Sequence, residues 1–317
     1  MVVPTMTPSK DQMRRQNLAA REALDAAGHA VEAALLTATV RAMTVPATVC
    51  AYVPVGREPG AVSMLDALRD AVASFLDKAS SFEAVREAEP LGWDPKVWSG
   101  LTDMGVPTLG VAEELGGSGA SLRDVAVVAE ACGARLASAP VVEAMTAARL
   151  LARFGDAAGS HLTDLAEGGA PVVLALQPAV DGVARVVPGG AVAAAVVALD
   201  GDELVVVRPG ELPSPTNLGS SPIADVPLTG DRTVLASGEE ARRAHALAVD
   251  EWRALTARWF VGLAREAQAI GVQYAKDRKQ FGAAVGSFQA VQHRFADLAC
   301  DLDGADLLAN KAVWALD

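Results

Sequence analysis

The feature that most constrains this chain lies near its C-terminus, where two helical patterns meet at a short polar break. Before the break, Leu255, Trp259, Leu263, Ile270 and Tyr274 keep helical spacing, and after it Phe288, Val291, Phe295, Leu298 and Leu302 do the same. The break itself reads Arg278-Lys-Gln280-Phe281-Gly282, followed by Val285-Gly286-Ser287-Phe288-Gln289. Gly282 and Gly286 bracket a turn, and Ser287 is placed to cap the second helix. A chain with this pattern must fold as a helical hairpin whose tip carries polar side chains.

Arg278 closes the first helix with its guanidinium free to leave the bundle. A planar, permanently charged fork suits a pyrophosphate, and Phe281 offers a face for a purine. Taken singly, an Arg at a helix end is a solvated cation and the following Phe a core residue. The order and spacing of the whole string set it apart.

The string RxQFG followed by GSFQAVQHxxAD resembles the flavin-binding turn of the acyl-CoA dehydrogenases. The resemblance implies FAD as cofactor, with Arg278, Gln280, Phe281 and Gln289 among its contacts. It also implies α,β-dehydrogenation of an acyl-CoA thioester and an electron-transfer flavoprotein as electron acceptor. A homo- or hetero-oligomer with another acyl-CoA dehydrogenase chain would follow, because in the family this turn reaches the flavin of the neighbouring subunit.

The expected fold is α+β, acyl-CoA dehydrogenase-like. A helical N-domain is expected at 65–168, a small β domain at 169–236 and a partial C-terminal helical bundle at 237–317. Asp94 reads as a helix cap with Pro95 at the first helical position. Helices are expected over Leu68–Lys78, Ser121–Arg135 and Val141–Phe154. The loop Glu113-Glu-Leu-Gly116-Gly-Ser-Gly119 resembles the family's PEExGGxG loop; no GK[ST] follows, so it is not a phosphate-binding P-loop. Val-rich runs at Val172–Leu176, Val183–Val187, Val192–Leu199 and Leu204–Val207 read as strands. Ser237-Gly-Glu-Glu240 reads as a capping box that restarts helix.

Residues 1–64 do not fit that pattern. An amphipathic, basic-faced helix from Ser9, a second helix from Ala30 to Met43 and a strand at Thr48–Pro54 resemble the opening of 5-formyltetrahydrofolate cyclo-ligases. By that resemblance Lys10 and Arg14 would face nucleotide phosphates and Glu58 a folate. The Gly-rich nucleotide and metal loop of that family is missing from the sequence, so an N-terminal fragment is expected rather than cyclo-ligase activity.

Two departures from the dehydrogenase pattern bear on activity. The family's TExxxGSD loop faces the flavin ring and the thioester; its counterpart here, Leu174-Ala-Leu-Gln177-Pro178-Ala-Val-Asp181-Gly182, lacks the hydroxyl and the acidic residue of that pattern, and only Asp181-Gly182 faintly resembles it. The chain also ends at Asp317, inside the second helix of an expected four-helix bundle, before the segment that carries the catalytic glutamate in most members. Some members place the base on the first long C-terminal helix. Glu251, beside Asp250 and Trp252, is the candidate there, since a carboxylate against aromatic surface can act as a base; the alternative is a solvated Asp-Glu pair on the outer face. Hence a second expectation: a non-catalytic or half-site partner subunit, completing a flavin site on another chain.

Composition sets the remaining bounds. A formal charge of −12 leaves no broad basic face for nucleic acid or an anionic membrane. With 51% hydrophobic and 21% charged residues and no signal-peptide pattern or membrane-spanning run, the expectation is a cytoplasmic protein. Cys50, Cys132 and Cys300 form no CxxC pair and read as reduced, buried thiols; the four scattered histidines suggest no metal site.

Overall fold

The computed structural model describes residues 62–317. The cyclo-ligase-like features, with Lys10, Arg14, Cys50 and Glu58, lie outside the described residues. The body is the compact unit Ala67–Asp317.

Six helices open it: α1 Val62–Ala79, α2 Phe82–Glu87, α3 Pro95–Asp103, α4 Leu122–Ala134, α5 Val141–Ala152 and α6 Gly159–Ala166. Local chemistry starts several of them. Asp94 accepts from the backbone N–H of Lys96 at 2.8 Å with Pro95 at the first helical position, as its spacing predicts. At α4, Ser121 Oγ accepts from the Asp124 N–H and Asp124 Oδ2 accepts from the Ser121 N–H, a reciprocal capping box. The glycine-rich loop before α4 forms a single 3-10 turn, Glu113–Leu115, closed by Gly116 at φ 85°.

The β domain is a four-stranded sheet of order β1-β3-β4-β6, from Val172–Leu174, Ala195–Asp200, Glu203–Val207 and Arg232–Ser237. β1 and β3 are parallel and the remaining pairs antiparallel, with Val197 opposite Val206. Val183–Val187 (β2) and Ala224–Pro227 (β5) make a separate antiparallel pair. Alternation divides the main sheet into two faces. Leu174, Val197, Leu199, Leu204 and Val206 pack against Leu150, Leu151 and Leu162 of the helices, while Val173, Val196, Ala198, Val205 and Val207 meet Ala184, Val187 and Val226 of the small pair. The Val-rich runs mark four of the six strands. β5 and β6 escape the sequence pattern because Asp225, Pro227 and Arg232 interrupt them.

α7, Gly238–Asp277, runs 40 residues without a proline, and α8, Gln289–Leu316, follows after the turn. At 1.5 Å per residue α7 is about 60 Å long. The two are antiparallel: Arg258 reaches Asp306, and Gln268 Nε2 donates to the Phe295 carbonyl at 3.3 Å. Ala241, Ala244, Ala248, Ala254 and Gly262 line the buried face of α7, so neighbouring backbones come close.

Three local expectations are corrected. Ser237 precedes α7 but makes no side-chain cap. Ser287 does not cap α8 either; its hydroxyl donates to the Ala284 carbonyl at 2.7 Å, and Phe288 occupies the cap position. A hydroxyl already satisfied one turn earlier is not available to the helix. Cys132 is buried, and burial pushes its thiol up to about 12, but Cys300 lies exposed on the outer side of α8. No described helix is long and apolar enough to cross a membrane.

Candidate functional site

The break between α7 and α8 is a miniature β-hairpin. Lys279–Gln280 (β7) pairs with Ala283–Ala284 (β8), leaving Phe281 and Gly282 as a two-residue loop. Their φ values are 52° and 77°, the pair of left-handed conformations that a type I′ turn requires. Gly282 adopts this freely. Phe281 is a non-glycine residue held in an uncommon region, which lifts its ring out of the body.

Phe281 is 95% exposed, so it is not a core residue. Its ring meets Phe288 edge-on, centroids 6.4 Å apart. Arg278 is the last-turn cap of α7. Its backbone N–H donates to the Tyr274 carbonyl at 2.8 Å and its own carbonyl accepts from Val285 at 2.8 Å. Those bonds fix the backbone, while the guanidinium is exposed and has no hydrogen-bond or ion-pair partner among the described residues. Gln280 is exposed, its amide donating to the Lys279 carbonyl at 2.9 Å, and Gln289 is exposed at the start of α8. The four turn residues are therefore brought to one projecting tip.

A permanently charged fork, an exposed ring and two amides at one tip fit the pyrophosphate and purine end of FAD. The stretch opposite in kind, Gln177–Gly182, follows β1 and carries a turn with Asp181 at φ 53°, but no hydroxyl that could face a flavin ring. The donor set of this chain fits one end of the cofactor.

Glu251 is far from what a base needs. It is 2% exposed, and both carboxylate oxygens are taken. Arg149 Nε donates to Oε2 at 2.9 Å and Arg153 Nη2 donates to Oε1 at 2.8 Å. A carboxylate clasped by two guanidiniums in the interior ties α5 to α7. The carboxylate expected as a base thus sits in a buried ion-pair cluster. The solvated alternative holds only for Asp250, which is exposed and paired with Arg253 at 2.8 Å.

A partly buried acid that lines a cavity, beside Glu89, is Glu143, in the first turn of α5, a residue that sequence reasoning passed over. Burial pushes its carboxyl above the ordinary range, opposed by its own backbone N–H and by the Trp252 indole N–H, which donates to Oε1 at 3.1 Å. The available signal was a lone carboxylate inside the apolar run Ala137–Ala148. The cavity measures about 480 Å³ and lies among the α4–α5 loop, the segment Leu218–Pro222 and α7.

Comparison with known sequences places this architecture. Residues 64–168 match the family "Acyl-CoA dehydrogenase, N-terminal domain" and residues 244–317 match "Acyl-CoA dehydrogenase, C-terminal domain". The chain belongs to the acyl-CoA dehydrogenase family and is an enzyme of that family. It is similar to the acyl-CoA dehydrogenase IpdE2 of Mycolicibacterium smegmatis, 33% identical over 250 residues, covering 78% of this chain and 75% of the relative. The IpdE2 of Mycobacterium tuberculosis is likewise 33% identical over 252 residues, with 78% and 75% covered. Among solved structures, the ChsE4-ChsE5 complex from Mycobacterium tuberculosis shares the fold with a TM-score of 0.71 at 24% identity, over 79% of this chain and 77% of that one. Butyryl-CoA dehydrogenase from Megasphaera elsdenii does so with a TM-score of 0.68 at 17% identity, over 80% and 79%.

Proposed function

We propose that this chain serves the α,β-dehydrogenation of an acyl-CoA thioester with FAD as oxidant, within an oligomer of acyl-CoA dehydrogenase chains. FAD supplies the hydride acceptor for the β carbon. The residues of this chain supply binding: Arg278 for the pyrophosphate, Phe281 for the purine, and Gln280 and Gln289 for hydrogen bonds beside them. An electron-transfer flavoprotein is the acceptor that this chemistry calls for. The observation carrying the reading is the hairpin, whose Arg278 guanidinium has no partner among the described residues and whose Phe281 is exposed.

A second reading has its own support. The tip points away from the body, and Gln177–Gly182 offers no hydroxyl to a flavin ring. Both features suit a half-site partner, which lends its turn to a flavin held mainly by another chain. Flavin absorbance and FAD affinity, measured for the purified chain and for its complex with a co-expressed acyl-CoA dehydrogenase chain, separate the two. Equal affinity in both preparations supports the first reading, and affinity gained only in the complex supports the second. No flavin binding in either preparation sinks both.

A further inference from the structure

The outer side of α8 carries a row of exposed residues. Ala296, Cys300, Asp303, Leu307, Lys311 and Trp314 recur at intervals of four and three, the spacing of a coiled-coil seam. On the helical period this row lies away from Leu302, Ala309 and Val313, which α8 buries against the body. Leu307 is 70% exposed and Trp314 63%, so the row is not a purely polar, solvated face. A single exposed Leu needs no explanation, but two large apolar side chains in one helical row mark a contact surface. The charges in the row, Asp303 and Lys311, have no ion-pair partner among the described residues. Asp306, on the inner side of the same helix, is by contrast held by Arg258 and Arg265.

The order of these residues is self-complementary. Asp303 lies four positions before Leu307 and Lys311 four after it, while Cys300 and Trp314 lie seven before and seven after. A twofold axis through Leu307 that sets two copies of α8 antiparallel places Asp303 of each copy against Lys311 of the other, and Cys300 against Trp314. These pairs fall about 6 and 10 Å from the axis along the helix. A parallel pairing in the same register would oppose Asp303 to Asp303 and Lys311 to Lys311. The charges therefore favour an antiparallel partner, and the surface that complements this face is the same face on a second copy.

We propose that the outer face of α8 is the contact surface for a second copy of this chain, docked antiparallel about Leu307 with two reciprocal Asp303–Lys311 ion pairs. Leu307 meets its own counterpart on the axis, and the Cys300 thiol packs on the Trp314 ring. The inference stands apart from the acyl-CoA reading above, because it names the surface and the partner of an oligomer whatever binds at the hairpin.

The test is sedimentation-velocity analysis of the full chain across the micromolar range. A species of twice the chain mass is expected for the wild type. Leu307→Asp, which sets two carboxylates on the axis, should abolish it. Asp303→Lys and Lys311→Asp each oppose like charges twice in the symmetric contact, and each should weaken dimerisation roughly tenfold or more. The double variant Asp303→Lys/Lys311→Asp regenerates both pairs and should return the affinity to within about threefold of wild type. These variants change exposed side chains only, so circular dichroism and melting curves of the monomeric species should be unaltered. A wild-type monomer at every concentration overturns the inference, as does a dimer that survives Leu307→Asp. Single reversals that weaken the dimer without rescue in the double variant overturn the antiparallel pairing. Association that occurs only with a co-expressed acyl-CoA dehydrogenase chain overturns the second copy as partner.

Discussion

Gly133 and Gly262 meet each other's helix backbone where α4 crosses α7. A Cβ on Gly133 would lie 1.9 Å from the Trp259 carbonyl oxygen, and one on Gly262 would lie 2.0 Å from that of Glu130. Only hydrogen fits at either position, so the two helices approach backbone to backbone. The same crossing carries a charge cluster: Arg258 pairs with Glu130 and Asp306, and Arg265 bridges the same two acids at 3.2 and 3.0 Å.

Gly262→Ala must therefore push α4 off α7. Overpacking of a close contact costs about 1–3 kcal/mol, and backbone has no rotamer with which to yield, so the upper part of that range is expected. For a body of this size the melting temperature should fall by roughly 5–10 °C. An unchanged melting curve would show that the helices can separate freely.

Removing Glu251 should destabilise the fold rather than abolish a chemical step. Glu251→Ala leaves Arg149, largely buried, without its carboxylate, and breaking a buried pair typically costs about 3–5 kcal/mol. Arg153 is more exposed and recovers hydration, which places the expectation near the low end, about 3 kcal/mol. Denaturant titration gives the value. A variant as stable as wild type that has lost turnover would restore Glu251 as a base.

The hairpin tip predicts flavin affinity. Arg278→Ala should weaken FAD binding by about 1.5–3 kcal/mol, the contribution of a hydrogen bond to a charged group, or roughly one to two orders of magnitude in affinity. Phe281→Ala should weaken it less, through lost stacking, and neither should shift the melting temperature of the apoprotein because both side chains are exposed. Unchanged FAD affinity in Arg278→Ala would remove the turn from the cofactor site.

Acid should loosen the contact between α7 and the β domain. Burial lowers the proton affinity of His245, opposed by its 2.8 Å contact with the Ala175 carbonyl. With the folded value below the unfolded one, the stability contributed by the neutral imidazole is present above about pH 6.5. It is lost as the pH falls through the folded value. Thermal melts of wild type and His245→Gln between about pH 7.5 and 5 check this. The wild type should lose more stability than the variant, and parallel profiles would refute the assignment.

How far the sequence carried the description depends on the range of the interactions involved. The RxQFG turn, the Asp94-Pro95 helix start and the four Val-rich strands are each set within a few residues. Dihedral preference, capping geometry and two-fold alternation act over that distance and leave a readable pattern. The Arg278, Gln280, Phe281 and Gln289 cluster was legible for the same reason, because one tight turn gathers it. The partners of Glu251 lie 98 and 102 positions away, and the sequence around it reads the same whether it faces water or two guanidiniums. Glu143 and Trp259 come from different helices and line a cavity that exists only once α5 and α7 have packed. Gly133 and Gly262 are unremarkable glycines in their own helices and become necessary only at the crossing. Local torsion and periodicity thus specified the elements and the exposed turn. Burial, ion pairing and the cavity depend on which distant elements share the interior, and only the tertiary structure decided those.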